Sequence, residues 1–336
     1  MSLSSPLRVA VVGATGAVGE VLFEILEQRD FPIAELIPLA SRRSVGTEIT
    51  FAGKRLPVQE AKPEAFEGVD LVFFAATGSL SAELAPEAVK RGAVVIDKSN
   101  TFRSDPEVPL VVPEINAAAL LDHRGIIACP NCTTIGLVMA LAPIRRVAGI
   151  RSLVVTTLQA ASGAGRDGID ELAVQTRALA AGEPLAAPAA FPVPIAHNVI
   201  PLCERFTEDD YSTEEHKLVS ETRKIFDQPD LPISITAVRV PVPVGHSAAV
   251  LIETERPLDV ADARAAVAAF PGLELVDDPA SNRFPTPRDV AGTDPVLVGR
   301  IRKDLNSDRL WLFESSDNLR KGAALNATQV AEALLS

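Results

Sequence analysis

Short apolar runs alternate with amphipathic stretches over the first 131 residues of the chain. Arg8-Val9-Ala10-Val11-Val12 reads as a buried strand and leads into Gly13-Ala14-Thr15-Gly16-Ala17-Val18-Gly19. After it Val18, Leu22, Ile25 and Leu26 recur at helical spacing up to Asp30-Phe31-Pro32. Residues 35–40, 71–76, 93–97 and 125–128 are further strands, and a helix that follows Thr77-Gly78-Ser79 runs to Arg91 with Gly92 as its stop. Runs that are apolar at every position belong to strands covered on both faces. The pattern therefore predicts an α/β fold with a doubly wound parallel sheet and ligands at the carboxyl ends of its strands.

From residue 132 the chain turns β-rich. Strands are expected over 152–159, 233–242, 248–254, 295–301 and 310–313, and helices over 135–141, from about Asp167, over 213–226 with Thr213 as N-cap, over 260–270 and over 323–335. Residues 180–194 are Ala- and Pro-rich with little periodicity and read as an exposed connector. No internal repeat is visible. The simplest organisation is a second, β-rich domain joined to the parallel-sheet domain.

Two stretches carry chemistry. The glycines at 13, 16 and 19 lie between a strand and a helix, where they let the backbone approach a pyrophosphate seated on the helix N-terminus. The next strand ends in Ser41-Arg42-Arg43-Ser44, where an NAD-specific site would place an acid; arginines and serines suit a 2′-phosphate, so NADP is expected over NAD. The second stretch is Cys129-Pro130-Asn131-Cys132-Thr133-Thr134, where a strand breaks and a helix begins. That places Cys132 at a helix N-terminus, where unpaired N–H groups and the helix dipole favour a thiolate, a candidate nucleophile. Arg103 falls on the ligand side of the sheet, in Lys98-Ser99-Asn100-Thr101-Phe102-Arg103.

Composition narrows the classes. With 336 residues, 47% hydrophobic and 23% charged, the chain is long enough for two cores. Its longest apolar runs are strand-sized, and the segment Met1 to Leu7 lacks the basic and apolar regions of a signal peptide. Three cysteines are too few for a disulfide framework, which makes a cytoplasmic location the expectation. A net charge of −12 argues against nucleic acid and anionic membrane, and requires a local Arg/Lys cluster if the substrate is an anion.

Taken together, these residues resemble aspartate-semialdehyde dehydrogenases. The resemblance runs through 12–19, 99–103 and 130–134, then through Gln159-Ala160-Ala161-Ser162-Gly163-Ala164-Gly165, 239–247 and Asp317-Asn318-Leu319-Arg320-Lys321-Gly322-Ala323-Ala324, in that order. It implies a Rossmann-like domain of residues 1–131 with 316–336, and an α+β catalytic and dimerisation domain of residues 132–315. The activity implied is the reversible, NADPH-dependent reductive dephosphorylation of L-aspartyl-4-phosphate to L-aspartate 4-semialdehyde. That step serves the biosynthesis of lysine and diaminopimelate, threonine, methionine and isoleucine.

By the same resemblance Cys132 is the nucleophile that forms a thioester, His246 the acid/base, and Gln159 the residue that orients the intermediate. Arg239 clamps the substrate carboxylate, Arg103, Asn131 and Lys217 belong to the substrate and phosphate site, and Glu214 meets the substrate's amino group or organises that site. Gly13, Thr15, Gly16, Ala17, Val18, Arg43, Ser44 and Thr77 are expected to hold NADP, with Ser162, Gly163 and Asn318 on the nicotinamide side. No metal is implied. The expected assembly is a homodimer or homotetramer.

Other readings stand beside this one. An N-acetyl-glutamyl-phosphate reductase would share the chemistry, although Glu214 suits a free amino group. A non-catalytic paralogue acting as a binding protein has no evident use for Cys132, Gln159, Arg239 and His246 together, and the surroundings of Cys132 differ from those in glyceraldehyde-phosphate dehydrogenases. Cys129 stands where the family often has Asn. It is either a small buried strand-end residue or a redox partner for Cys132.

Overall fold

A computed structural model describes residues 5–335; residues 1–4 and 336 lie outside the described residues, and with them part of the N-terminal segment discussed above. The chain divides into two compact units, one made by residues up to Asn131 together with those from Ala323 on, the other by Cys132–Gly322.

In the first unit the elements are β1 (Leu7–Val12), α1 (Ala17–Gln28), β2 (Ile33–Ala40), β3 (Glu48–Phe51), β4 (Lys54–Pro57), β5 (Gln59–Glu60), β6 (Leu71–Phe74), α2 (Gly78–Lys90), β7 (Val94–Asp97), α3 (Pro113–Asn116) and β8 (Ile126–Ala128). Six strands pair in the order β5-β2-β1-β6-β7-β8, all parallel. Strand order reverses between β1 and β6, so the loops that follow them diverge and leave a crevice at the carboxyl edge.

The apolar runs are explained by burial on both faces. Val9, Val11, Phe73, Ile96 and Ile127 join a core with Leu22, Ile25 and Leu26 of α1 and with Leu325, Val330 and Ala331 of the C-terminal helix. Ala10, Val12, Val72, Phe74 and Val95 join another with Leu84, Ala85 and Ala88 of α2. The antiparallel hairpin β3–β4 was not expected from the sequence. Its turn is Ala52-Gly53, both at positive φ, the backbone that a tight hairpin requires.

The second unit begins with α4 (Cys132–Ala148) and continues through β9 (Ser152–Gln159), α5 (Gly165–Ala181), α6 (Thr213–Phe226), β10 (Ile233–Arg239), β11 (His246–Glu253), α7 (Val260–Ala268), β12 (Leu273–Leu275), α8 (Pro287–Val290), β13 (Val296–Lys303) and β14 (Leu310–Ser316). Its sheet is mixed, in the order β10-β9-β11-β14-β13-β12. Helix α4 packs on β11, β13 and β14 and is buried from Thr133 through Ile144. The final helix, α9 (Leu325–Leu335), belongs to the first unit. Among the described residues no helix is long and apolar enough to cross a membrane.

Three details differ from the sequence reading. Ser212, not Thr213, caps α6, because its hydroxyl accepts from the Glu215 N–H while the Glu215 carboxylate accepts from the Ser212 N–H, a complete capping box. His246 opens β11 rather than sitting in the turn before it. The bend falls at Gly245, whose φ is +98° and where a Cβ would come 2.7 Å from the Pro287 carbonyl oxygen. Residues 316–322, expected in the first domain, group with the second unit. Asp317 ties them there: its carboxylate accepts from the N–H groups of Gly292, Leu319 and Arg320.

Candidate active site

In the first unit the expected cofactor residues issue from the carboxyl edge of one parallel sheet. Gly13 follows β1 at φ +88°, and a Cβ there would lie 2.3 Å from the Ala75 carbonyl oxygen, so only glycine fits. Gly16 caps α1 without a side-chain hydrogen bond, which leaves the first-turn N–H groups of Ala17 and Val18 for an anion. A Cβ at Gly19 would lie 2.4 Å from the Gly13 oxygen, so the third glycine lets helix and turn close together.

Arg43 and Ser44 lie in an exposed 3-10 turn (Arg42–Ser44) directly after β2, and Ser44 Oγ is 3.3 Å from Thr15 Oγ1. The two expected cofactor segments are thus brought together, and the turn presents cationic and hydroxyl groups where a ribose phosphate would arrive. Thr77 is the N-cap of α2. These residues fit a dinucleotide on geometric grounds.

The loop after β7 is organised by a buried carboxylate, Asp97, that no sequence motif marks. Asp97 accepts from Ser81 Oγ, from the Ser99 N–H and from Ser99 Oγ at 2.9, 3.1 and 2.6 Å. Arg103, itself buried, donates from Nη2 to the Lys98 carbonyl at 2.7 Å. Asn131 is buried at the end of the unit. Cys129 is fully buried, and burial pushes its thiol up to about 11, the behaviour of an inert strand-end residue.

In the second unit three expected residues share one sheet face with Ser316. Arg239 pairs with Gln159, Ser247 pairs with Leu158, which sets His246 beside Gln159, and His246 pairs with Ser316. Directly opposed residues point to the same side, so Arg239, Gln159, His246 and Ser316 form a row across β10, β9, β11 and β14. That is the side on which α4 lies, because a Cβ at Gly136 would come 2.4 Å from Ser316 Oγ. Cys132 is the first residue of α4 and is partly exposed. Gly322 packs on it, with an added Cβ falling 3.1, 3.2 and 3.3 Å from the Cys132 Cβ, O and Cα.

The backbone of one residue holds two of these side chains. The Ala160 N–H donates to His246 Nδ1 at 3.0 Å, and its carbonyl accepts from Arg239 Nη1 at 2.7 Å. An N–H aimed at Nδ1 needs a lone pair there, so the neutral ring carries its proton on Nε2. Burial and the neighbouring Arg239 cation hold the imidazole well below its ordinary range, so it stays neutral. His246 Nε2 is buried and has no hydrogen-bond partner among the described residues. Gly163 stands over both groups, for a Cβ on it would fall 2.4 Å from Arg239 Nη1 and 3.2 Å from His246 Nε2. Ser162 Oγ donates to Asn318 Oδ1 at 2.9 Å, and the Gly245 N–H donates to the same oxygen at 3.0 Å, which joins the two loops expected on the nicotinamide side.

Glu214 and Lys217 lie one turn apart on α6, with Glu214 buried and Lys217 Nζ 3.5 Å from its carboxylate. Lys217 also pairs with Glu204, whose carboxylate accepts from Thr213 Oγ1. Glu204 carried no motif in the sequence. The buried carboxyl of Glu314, on the Ser316 side of the row, had none either.

Two family models match the chain: a semialdehyde dehydrogenase NAD-binding domain over residues 8–123 and a semialdehyde dehydrogenase dimerisation domain over residues 141–321. The aspartate-semialdehyde dehydrogenase of Bacillus subtilis is 49% identical over 339 residues, which covers 98% of this chain and 97% of that protein. Among solved structures, aspartate semialdehyde dehydrogenase II of Vibrio cholerae complexed with ASA superposes with a TM-score of 0.96 at 45% identity, covering 99% of each chain. The Candida albicans enzyme with NADP gives a TM-score of 0.74 at 26% identity, covering 98% of each. With an NAD(P)-binding domain, a dimerisation domain and relatives of this identity along its whole length, the chain belongs to the aspartate-semialdehyde dehydrogenase family of oxidoreductases.

Proposed function

We propose that the chain catalyses the reversible conversion of L-aspartyl-4-phosphate to L-aspartate 4-semialdehyde and phosphate with NADPH as reductant, and so serves the synthesis of the amino acids derived from that aldehyde. The observation that carries this reading is the row Arg239–Gln159–His246 on the sheet face against which the Cys132 helix packs. Gly13, Gly16, the first turn of α1 and the Arg43–Ser44 turn would hold the cofactor, and when bound NADPH supplies the hydride that a thioester carbonyl accepts.

The residues of this chain do the rest. Cys132, as thiolate, attacks the acyl phosphate carbon, and collapse of the tetrahedral adduct breaks the C–O bond to phosphate and leaves a thioester. A thioester stays electrophilic where a carboxylate would be inert to hydride. After reduction the thiohemiacetal oxyanion re-forms the carbonyl and expels the Cys132 thiolate, releasing the aldehyde. Both adducts place negative charge on one oxygen, and a neutral His246 with its proton on Nε2 offers a hydrogen bond to it. That role needs no proton from the thiol. Within the acid/base role expected of His246, deprotonation of Cys132 does not suit a ring whose Nδ1 already accepts from Ala160 and whose Nε2 is protonated.

Arg239 fits the substrate carboxylate, with Nη1 fixed by the Ala160 carbonyl, and Glu214 fits the ammonium group. Arg103, Asn131 and Lys217 are the proposed phosphate side. The preference for NADP rests on the Ser41–Ser44 turn, and the proposed assembly is a homodimer or homotetramer acting in the cytoplasm.

The test follows NADPH formation from L-aspartate semialdehyde and phosphate, with N-acetyl-glutamate semialdehyde as the rival substrate and Cys132→Ala as control. Phosphate-dependent turnover of the first aldehyde alone, abolished in the variant, is expected. Turnover of the acetylated aldehyde would move the assignment to the rival reductase, and no turnover of either would leave the chain a binding protein.

A further inference from the structure

Glu314 lies on β14, is fully buried, and has no part in the chemistry above. Register fixes its place. It is opposite Ala248 on β11 and Val298 on β13, and Ala248 is opposite Thr157 on β9. Glu314 therefore belongs to the row directly behind Gln159, His246 and Ser316, on the same sheet face. From the helix side, a Cβ at Gly136 would come 3.0 Å from a Glu314 carboxyl oxygen and 2.4 Å from Ser316 Oγ. Gly136 is four residues beyond Cys132, so the two occupy one side of α4, a single turn apart. The carboxyl fills the notch that a missing side chain leaves one turn below the nucleophile.

The environment keeps this group neutral. Neither carboxyl oxygen reaches a hydrogen-bond partner in the structure, and Ser316 Oγ does not either. Burial pushes the carboxyl up to about 8, while the adjacent Ser316 hydroxyl, close by without reaching hydrogen-bonding geometry, favours the ionised form. The facing residues from β9, β11 and β13 are Thr157, Ala248 and Val298, all uncharged. Of the titratable groups on this side, His246 and Arg239 lie in the next row and Cys132 on α4, and no charged group acts on the carboxyl.

We propose that Glu314 is a positioning residue for Cys132: its protonated carboxyl fills the Gly136 notch and seats the first turn of α4 on the sheet, and loss of that proton sets an unbalanced anion beneath the turn and switches turnover off reversibly. The proposal rests on Cys132 being the nucleophile of the reaction assigned above.

The experiment is kcat and KM against pH, from about pH 6 to about pH 10, for wild type, Glu314→Gln, Glu314→Ala and Ser316→Ala, with thermal melting to confirm that each is folded. Wild-type kcat is expected to fall roughly tenfold per pH unit above about pH 8 and to recover on return to neutral pH. Glu314→Gln keeps its plateau, and Ser316→Ala moves the fall to higher pH because the hydroxyl that favours ionisation is gone. At neutral pH Glu314→Ala loses about tenfold in kcat with little change in KM, and Gln restores it. An alkaline fall in Glu314→Gln that matches wild type overturns the proposal, as does a wild-type kcat in Glu314→Ala. If Glu314→Ala does not fold, the Gln and Ser316→Ala profiles decide alone. Failure of wild type to turn over at any pH would count against the assigned reaction instead.

Discussion

Burial of Glu314 makes the stability of the fold depend on pH in a way that one substitution removes. In the unfolded chain its carboxyl ionises near 4.5, whereas in the folded protein burial holds the proton until about 8. Between those values the folded state binds more protons than the unfolded state, so stability falls as pH rises: the contribution is fully present below about 4.5 and is lost by about 8. Each unit of difference is worth about 1.4 kcal/mol, so the span from about pH 5 to about pH 8 removes roughly 4 kcal/mol. For a unit the size of Cys132–Gly322 this corresponds to roughly 8–16 °C in melting temperature.

Glu314→Gln keeps the shape and removes the ionisation. Melting of both proteins at about pH 5 and about pH 8 is the assay, and the wild-type-minus-variant difference is the readout, since every other titrating group cancels. Wild type is expected to lose several degrees more than the variant over that interval. If the two melt in parallel within about 2 °C, the carboxyl is not held protonated by the fold and the reasoning is refuted.

Other substitutions test the site piece by piece. Gly322→Ala would press a methyl to 3.1 Å from the Cys132 Cβ and is expected to lower kcat about 10- to 100-fold with a smaller effect on KM, read in steady-state kinetics. Gly163→Ala would displace Arg239 Nη1 from the Ala160 carbonyl and raise KM for the aldehyde roughly tenfold, read in steady-state kinetics. Arg43→Glu together with Ser44→Asp should weaken NADP about 10- to 100-fold and spare NAD, which comparison of kcat/KM with the two cofactors checks. Because His246 is neutral well below its ordinary range, no acid limb from it should appear in kcat near pH 6.5, the usual imidazole value, and a limb there that vanishes in His246→Asn would show the ring to be exposed to protonation.

Much of the architecture could be read from the chain. The passage from β1 through Gly13 to α1 is local: apolar residues at every strand position, glycine at positive φ, then helical spacing, all within one short segment. The cap of α6 is equally local: it is Ser212 and not the expected Thr213, and the Ser-x-x-Glu spacing to Glu215 is the signal that identifies it. His246 could be picked out by its neighbours, but its tautomer could not. That depends on Ala160, far away in sequence and adjacent only after β9 and β11 pair. Residues 316–322 group with the second unit and not the first, and the Gly292 N–H to Asp317 bond that helps hold them there has no sequence signature.

The sequence by itself determined which segments become strands and helices, that β1 leads through a glycine turn into a helix N-terminus, and that Cys132 begins a helix, because each depends on spacing and backbone preferences of neighbouring residues. Only the tertiary structure decided what those groups experience. A glutamate in a strand reads as solvent-facing, and Glu314 is buried because the face it shares with Ala248 and Val298 is covered by α4 at Gly136. The charge state of a buried group follows from what surrounds it in space, and residues 136, 246 and 314 become neighbours only when the sheet and the helix pack.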